Sequence, residues 1–236
     1  MAELFTEMDT YFAGNEHCIA ISGSGGKTTA LISLAKYYAK KQKRVLISTT
    51  TKLLLPKDEA YGCDTHFFDA SILDYRPSQG ERVFYSHVDK KAVAPPLQTL
   101  KNLLPLYDVV LLEADGSRHL GLKLHDERDP VIPEFVTATL AIVSFSLLGK
   151  PFKENCFGSE LYLDDFSEQI IDLHTYEKLL SHPQGITKGL RGKTLILFNQ
   201  AEKQDIADCK ALQTHTTHPL WFASLRNDQL IYRKPV

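Results

Sequence analysis

The stretch Ile19-Ala20-Ile21-Ser22-Gly23-Ser24-Gly25-Gly26-Lys27-Thr28-Thr29 decides how the rest of the chain is read. Small and β-favouring apolar residues run into a glycine cluster, then a lysine and two threonines, and a helical pattern follows. A glycine-rich turn between a strand and a helix leaves successive backbone N–H groups free to point at one centre. The helix N-terminus adds partial positive charge, so the place suits a polyphosphate. On this reading Gly23, Ser24, Gly25, Gly26, Lys27, Thr28 and Thr29 bind a nucleotide. Lys27 reaches the terminal phosphates, and the Thr28 hydroxyl sits where it can ligate Mg²⁺.

The common phosphate-loop pattern G-x-x-x-x-G-K-[ST] asks for glycine five residues before Gly26, where this chain has Ile21. A shorter form, G-x-x-G-K-T-T, fits Gly23 to Thr29 and resembles the loop of the Mur-type ATP-dependent ligases. The competing reading is a turn that only joins a strand to a helix. Its surroundings argue against that. His17 to Ser22 reads as a core strand, and Ala30, Leu31, Leu34, Ala35, Tyr37 and Tyr38 fall at helical spacing after it. A basic turn, Lys40 to Arg44, suits the end of that helix, and Val45 to Ser48 reads as the next strand. This is the βαβ unit of a parallel sheet.

Farther out, a short helix is expected at Leu4 to Phe12 and a strand at Arg82 to Ser86, with helical spacing again at Leu97, Leu100 and Leu104. Tyr107 to Leu112, Leu140 to Phe145 and Thr194 to Phe198 are near-continuous apolar runs, the pattern of strands buried on both faces. Pro219 to Ala223 is a shorter candidate, and Ser167 to Leu180 and Asp205 to Leu212 look helical. No repeat or low-complexity linker interrupts the chain. The expected fold is a three-layer, doubly wound, mostly parallel α/β sheet of the P-loop NTPase-like kind, as one domain over residues 1–236.

Composition narrows the function classes. A chain of 236 residues with formal net charge −2 can bury a large core and carries no bulk signal of nucleic-acid binding. Cys18, Cys63, Cys156 and Cys209 show no C-x-x-C pair, which fits reduced thiols better than disulfides or a zinc site. The N-terminus carries Glu3, Glu7 and Asp9 where a signal peptide would be basic. No apolar run approaches the ~18 residues of a membrane span. The expectation is a cytoplasmic protein without membrane or nucleic-acid partners.

The run Asp108-Val109-Val110-Leu111-Leu112-Glu113-Ala114-Asp115-Gly116 brings acids to the C-terminal end of a buried strand, the edge where open α/β sheets bind ligands. Glu113 and Asp115 are two residues apart and share a face in extended chain. One can hold Mg²⁺ and the other can orient a nucleophile, so Lys27, Glu113 and Asp115 are the candidate catalytic residues. The alternative is a pair of solvated acids. Thr49-Thr50-Thr51-Lys52 ends its strand at the same edge, where Thr50, Thr51 and Lys52 can contact phosphate. They can equally be strand threonines and a surface lysine.

Taken together, Ser22 to Thr29, Thr49 to Lys52 and Glu113-Ala114-Asp115-Gly116-Ser117 resemble the YqeC family. That family also carries a lysine followed by His/Glu-Pro-Val-Ile-Pro, matched by Lys123 and Asp129-Pro130-Val131-Ile132-Pro133. Asp129 in place of glutamate and Ser117 in place of alanine are departures. The resemblance implies an accessory or cofactor-biosynthesis role for selenium-dependent molybdenum hydroxylases, with a hydroxylase or a cofactor-insertion protein as partner. It also makes Lys123 a candidate substrate or phosphate contact, against a snorkelling surface lysine. His119 and His125 read as loop histidines, and His215 and His218 as surface polar residues. Asn199-Gln200-Ala201-Glu202 is similar to the guanine-reading Asn-Lys-x-Asp of GTPases, altered at two positions. Asn199 is therefore either a base contact or a helix cap.

The expected function is a Mg²⁺-dependent ATP or GTP hydrolase or transferase that serves as an accessory factor. The alternatives are a nucleotide-driven switch or chaperone without a small-molecule substrate, and a Mur-ligase-like ligase or kinase of a small metabolite. A full Mur-type ligase would need a second domain that this chain does not display.

Overall fold

The computed structural model describes residues 3–15, 17–52, 60–89, 91–162, 166, 170–213 and 216–234. Helix α1 (Leu4–Phe12) leads into β1 (Cys18–Gly23), α2 (Lys27–Lys40) and β2 (Val45–Thr49). Strand β3 (Thr65–Phe67), β4 (Arg82–Tyr85) and a small hairpin of β5 (His87–Asp89) and β6 (Lys91–Val93) precede α3 (Leu97–Leu103) and β7 (Val109–Glu113). Then come β8 (Leu122–Lys123), β9 (Ala138–Ser144), α4 (Phe152–Asn155) and β10 (Cys156–Phe157). The described chain closes with α5 (Leu173–Ser181), β11 (Lys193–Asn199), α6 (Ile206–Ala211), β12 (Leu220–Ser224) and β13 (Gln229–Lys234).

Nine strands form one sheet in the order β13-β12-β11-β9-β1-β7-β2-β4-β3. All pairs are parallel except β12 with β13. The alternation of side chains along each strand splits the core into layers. Ile19 and Ile21 of β1 pack with Ala30, Leu31, Leu34 and Tyr38 of α2 and with the apolar stripe of α1. Cys18 and Ala20 face the other way, toward Leu100 and Leu103 of α3. On that second face Val143, Ile196 and Phe198 meet Tyr176, Leu179 and Leu180 of α5. Helices therefore cover both faces of a mostly parallel sheet, a multilayer α/β fold.

The order of connections positions the site. From β1 the chain passes through α2 to β2, which lies beyond β7, and later crosses from β7 to β9 on the opposite side of β1. Strand order thus reverses at β1, the switch point beside which ligands bind in such sheets. Register brings the strand ends together: Glu113 pairs with Ile21 and with Thr49, Gly23 with Ile142, and Asn199 with Ser144.

Some local expectations change. The helix expected from Ser167 begins at Leu173, because the Asp172 side chain accepts the Thr175 N–H at 2.8 Å and caps it there. Ile170 instead bridges to Pro151, and residues 167–169 lie outside the described residues, as does His215. Strands β3, β5, β6, β8, β10 and β13 differ from the expectation: the first five are only two or three residues long, and β13 is a half-buried edge strand whose short Leu230-Ile231-Tyr232 run is flanked by Gln229 and Arg233-Lys234. No described helix is long and apolar enough to cross a membrane.

Candidate functional site

Three glycines set the shape of the loop between β1 and α2. Gly23, Gly25 and Gly26 have φ of 89°, 83° and 142°, a region that side chains strain to enter. Close packing adds a second reason. A Cβ on Gly23 would lie 2.2 Å from the Ile142 carbonyl oxygen, and one on Gly26 would lie 2.3 Å from Asn199 Nδ2. Gly26 is the N-cap of α2 and supplies no side-chain cap. The first-turn N–H groups of α2 have no partner within the helix, and Thr28 and Thr29 are exposed there.

Asp115 clasps both ends of this loop. It is fully buried just beyond β7. Its Oδ2 accepts the Gly23 N–H at 2.8 Å, and its Oδ1 lies 3.1 Å from Lys27 Nζ. Lys27 also donates to the Gly23 carbonyl at 2.5 Å and to the Ser117 hydroxyl at 3.2 Å, and it is only 5% exposed. Asn199 holds the middle of the loop. Its Nδ2 donates to the Gly25 carbonyl at 2.7 Å and its Oδ1 accepts the Leu225 N–H at 3.0 Å. Both polar ends of Asn199 are thus used in bracing the loop, which is a different task from capping a helix. Ser24 donates its N–H to Ile142 at 2.8 Å, and its buried hydroxyl has no hydrogen-bond partner among the described residues.

The second lysine is interior, not snorkelling. Lys123 is 3% exposed, donates to the Gly116 carbonyl at 2.5 Å and to Asp129, and lies 3.7 Å from Asp115 Oδ2. The two departures from the family motif are therefore contacts of the two lysines: Ser117 with Lys27 and Asp129 with Lys123. Contrary to the loop-histidine expectation, His125 is buried, with Nε2 2.8 Å from Asp115 Oδ2 and Nδ1 3.0 Å from the Gly185 carbonyl. The signal was its spacing: Lys123 and His125 are two apart, and in extended chain they share a face as Glu113 and Asp115 do.

The two acids differ in charge. Burial works to raise the Asp115 carboxyl, but Lys27, the His125 hydrogen bond and Lys123 together hold it well below the usual carboxylate range. Burial pushes the neighbouring Glu113 up to about 7, against the pull of Lys27 and with help from Asp115. Tyr61, whose φ of 55° is unusual for an aromatic residue, donates to Glu113 Oε2 at 3.4 Å. A carboxyl balanced between its two states near neutral pH suits proton transfer.

The threonine segment reaches the same edge but is turned inward. Thr49 Oγ1 donates to the Glu113 carbonyl at 3.1 Å and accepts the Thr51 N–H at 3.0 Å. Thr50 Oγ1 donates to the Val131 carbonyl at 2.6 Å, and Lys52 is exposed. The structure thus brings together the glycine loop, Lys27, Glu113, Asp115, Lys123 and Asn199. It leaves Lys52 at the rim and commits the Thr50 hydroxyl to a backbone carbonyl.

A family model described as YqeC protein matches residues 19–160. That span holds the glycine loop, the threonine segment, the acidic strand end and Lys123. The chain is 30% identical over 237 residues to the uncharacterized protein YqeC of Escherichia coli (strain K12), covering 92% of this chain and 90% of that protein. No solved structure matches it. The chain belongs to the YqeC family.

Proposed function

We propose that this protein binds a nucleoside triphosphate, ATP or GTP, with Mg²⁺ and hydrolyses it or transfers part of it to an acceptor. The observation that carries this reading is the glycine loop closed by Asp115, with Lys27 buried at its end and the uncapped first turn of α2 beside it. The Gly23 and Ser24 N–H groups are used within the protein, which leaves the first-turn N–H groups of α2 beside a lysine, a combination that suits a polyphosphate in charge.

The donor set also bears on the metal. Mg²⁺ is commonly held by one or two protein oxygens plus substrate phosphates, and among the described residues there is no cluster that would hold a metal unaided. Asp115 Oδ2 is taken up by Gly23 and His125, whereas Oδ1 has only the ion pair with Lys27 at 3.1 Å, so in this reading the Thr28 hydroxyl and the Glu113 and Asp115 carboxyls are the oxygens that would complete a nucleotide-bound Mg²⁺. When bound, the ion would neutralise developing phosphate charge. Lys27 and the loop hold the phosphates, and Glu113, when it does not hold the ion, aligns the attacking group or accepts its proton. A cytoplasmic accessory role in maturing a selenium-dependent molybdenum hydroxylase, with the hydroxylase or a cofactor-insertion protein as partner, is the family-level part of the proposal.

A thermal-shift screen of ATP, GTP and their diphosphates, with and without Mg²⁺, tests base choice and metal need together. A triphosphate that raises Tm only with Mg²⁺ is expected. No shift with any nucleotide would remove the reading.

A further inference from the structure

His125 stands outside the residues that would touch a nucleotide, yet it is held at four points. Its backbone N–H donates to the Gln184 carbonyl at 2.7 Å, and its carbonyl accepts the Tyr162 hydroxyl at 3.0 Å. Nδ1 faces the Gly185 carbonyl at 3.0 Å and Nε2 faces Asp115 Oδ2 at 2.8 Å. Asp115 Oδ2 therefore receives two donors, one from the ring and one from the Gly23 backbone, 2.8 Å away. We propose that His125 is a positioning residue: it fixes the Asp115 carboxylate from behind, so that Asp115 holds the Gly23 N–H and leaves Lys27 able to serve a bound anion.

Asp115 is fully buried, and a buried carboxylate needs donors: Oδ2 has two hydrogen bonds, whereas Oδ1 has only the ion pair with Lys27. His125 supplies one donor that no ligand competes for, since its ring is buried and its backbone N–H is bonded to the Gln184 carbonyl on the segment after α5. Remove it, and Asp115 must draw more on Lys27 and Lys123, which lie 3.1 Å and 3.7 Å away. Lys27, which already donates to the Gly23 carbonyl and the Ser117 hydroxyl, is then drawn more strongly to its own protein and away from a bound phosphate. The effect on affinity rests on the nucleotide reading above; the effect on the loop does not.

The test compares His125→Phe, which keeps a ring without N–H donors, with His125→Gln, which keeps one. Amide NMR of the full chain is expected to show the Gly23 resonance shifted upfield and exchanging about tenfold faster in His125→Phe, with most of the shift restored in His125→Gln. Affinity for the Mg²⁺–nucleotide falls about tenfold in the first variant and far less in the second. An unchanged Gly23 amide in a folded His125→Phe protein would overturn the inference. If that variant does not fold, the unmodified protein decides. A downfield, slowly exchanging His125 Nε2 proton is expected, and its absence overturns the proposal. Should no nucleotide bind the unmodified protein, the functional reading fails while the Gly23 amide still judges the role of His125.

Discussion

Strands β7 and β11 end at the same edge of one sheet and brace the same loop, with opposite chemistry. β7 runs out into Glu113 and Asp115, a pair in which one acid is kept ionised and the other is pushed up to about 7. β11 runs out into two neutral amides. Asn199 ties the Gly25 carbonyl to Leu225, and Gln200, at φ 64°, accepts from the hydroxyls of Ser144 and Ser146. Neutral dipoles fix geometry at any pH. Buried charges fix it too, but they also store reactivity and carry a desolvation cost. Under the proposed function, β11 serves as scaffold and β7 carries the chemistry.

The largest break comes from Asp115→Ala. It leaves Lys27, Lys123 and His125 buried without their shared carboxylate and should lower stability by about 3–5 kcal/mol, read by urea unfolding. Retention of wild-type stability would mean that the clasp is incidental.

Glu113→Gln should act in the opposite direction. The folded carboxyl is raised from 4.5 to about 7, so the stability it contributes is complete below 4.5 and is lost as pH rises through 7. Replacing it with a neutral amide therefore changes little near about pH 4 and stabilises by about 3–4 kcal/mol at about pH 8, from roughly 2.5 units at about 1.4 kcal/mol each. The same variant should lose most phosphate release. A stability gain that does not depend on pH would contradict the assignment.

Asn199→Ala sharpens the contrast from the other strand. It should cost about 1–2 kcal/mol through the lost loop brace, equally at pH 5 and 8, and weaken nucleotide binding only several-fold. Lys52→Ala, at the rim, should stay within about 0.5 kcal/mol of wild type and change affinity least of all.

The sheet was legible because its strands are written as apolar runs and its first helix as a 3.6-residue stripe. Leu4–Phe12 has the bounds expected of it, and the strands at Val45, Val109 and Lys193 begin within two residues of theirs. The convergence of Gly23, Thr49 and Glu113 on one edge followed from strand, loop and helix order. What stayed hidden depends on contacts distant in sequence. The two-residue spacing of Lys123 and His125 hints at a shared face, but the carbonyl that anchors the ring lies 60 residues away, and Asn199 reaches a loop 174 residues away, contacts that no local pattern encodes. Tyr61 is similar: its left-handed backbone and its bond to Glu113 arise from packing on Phe84, with ring centroids 5.2 Å apart.

The clasped loop and Lys27 are proposed to bind a nucleoside triphosphate with Mg²⁺. Titration calorimetry of ATP and of GTP with Mg²⁺ into the wild-type protein and into a folded Lys27→Ala variant tests it most directly. The account predicts saturable one-to-one binding in the wild type and a loss of at least about 100-fold, some 2.7 kcal/mol or more, in the variant. Equal affinity in the two proteins, or no binding in the wild type, would contradict it.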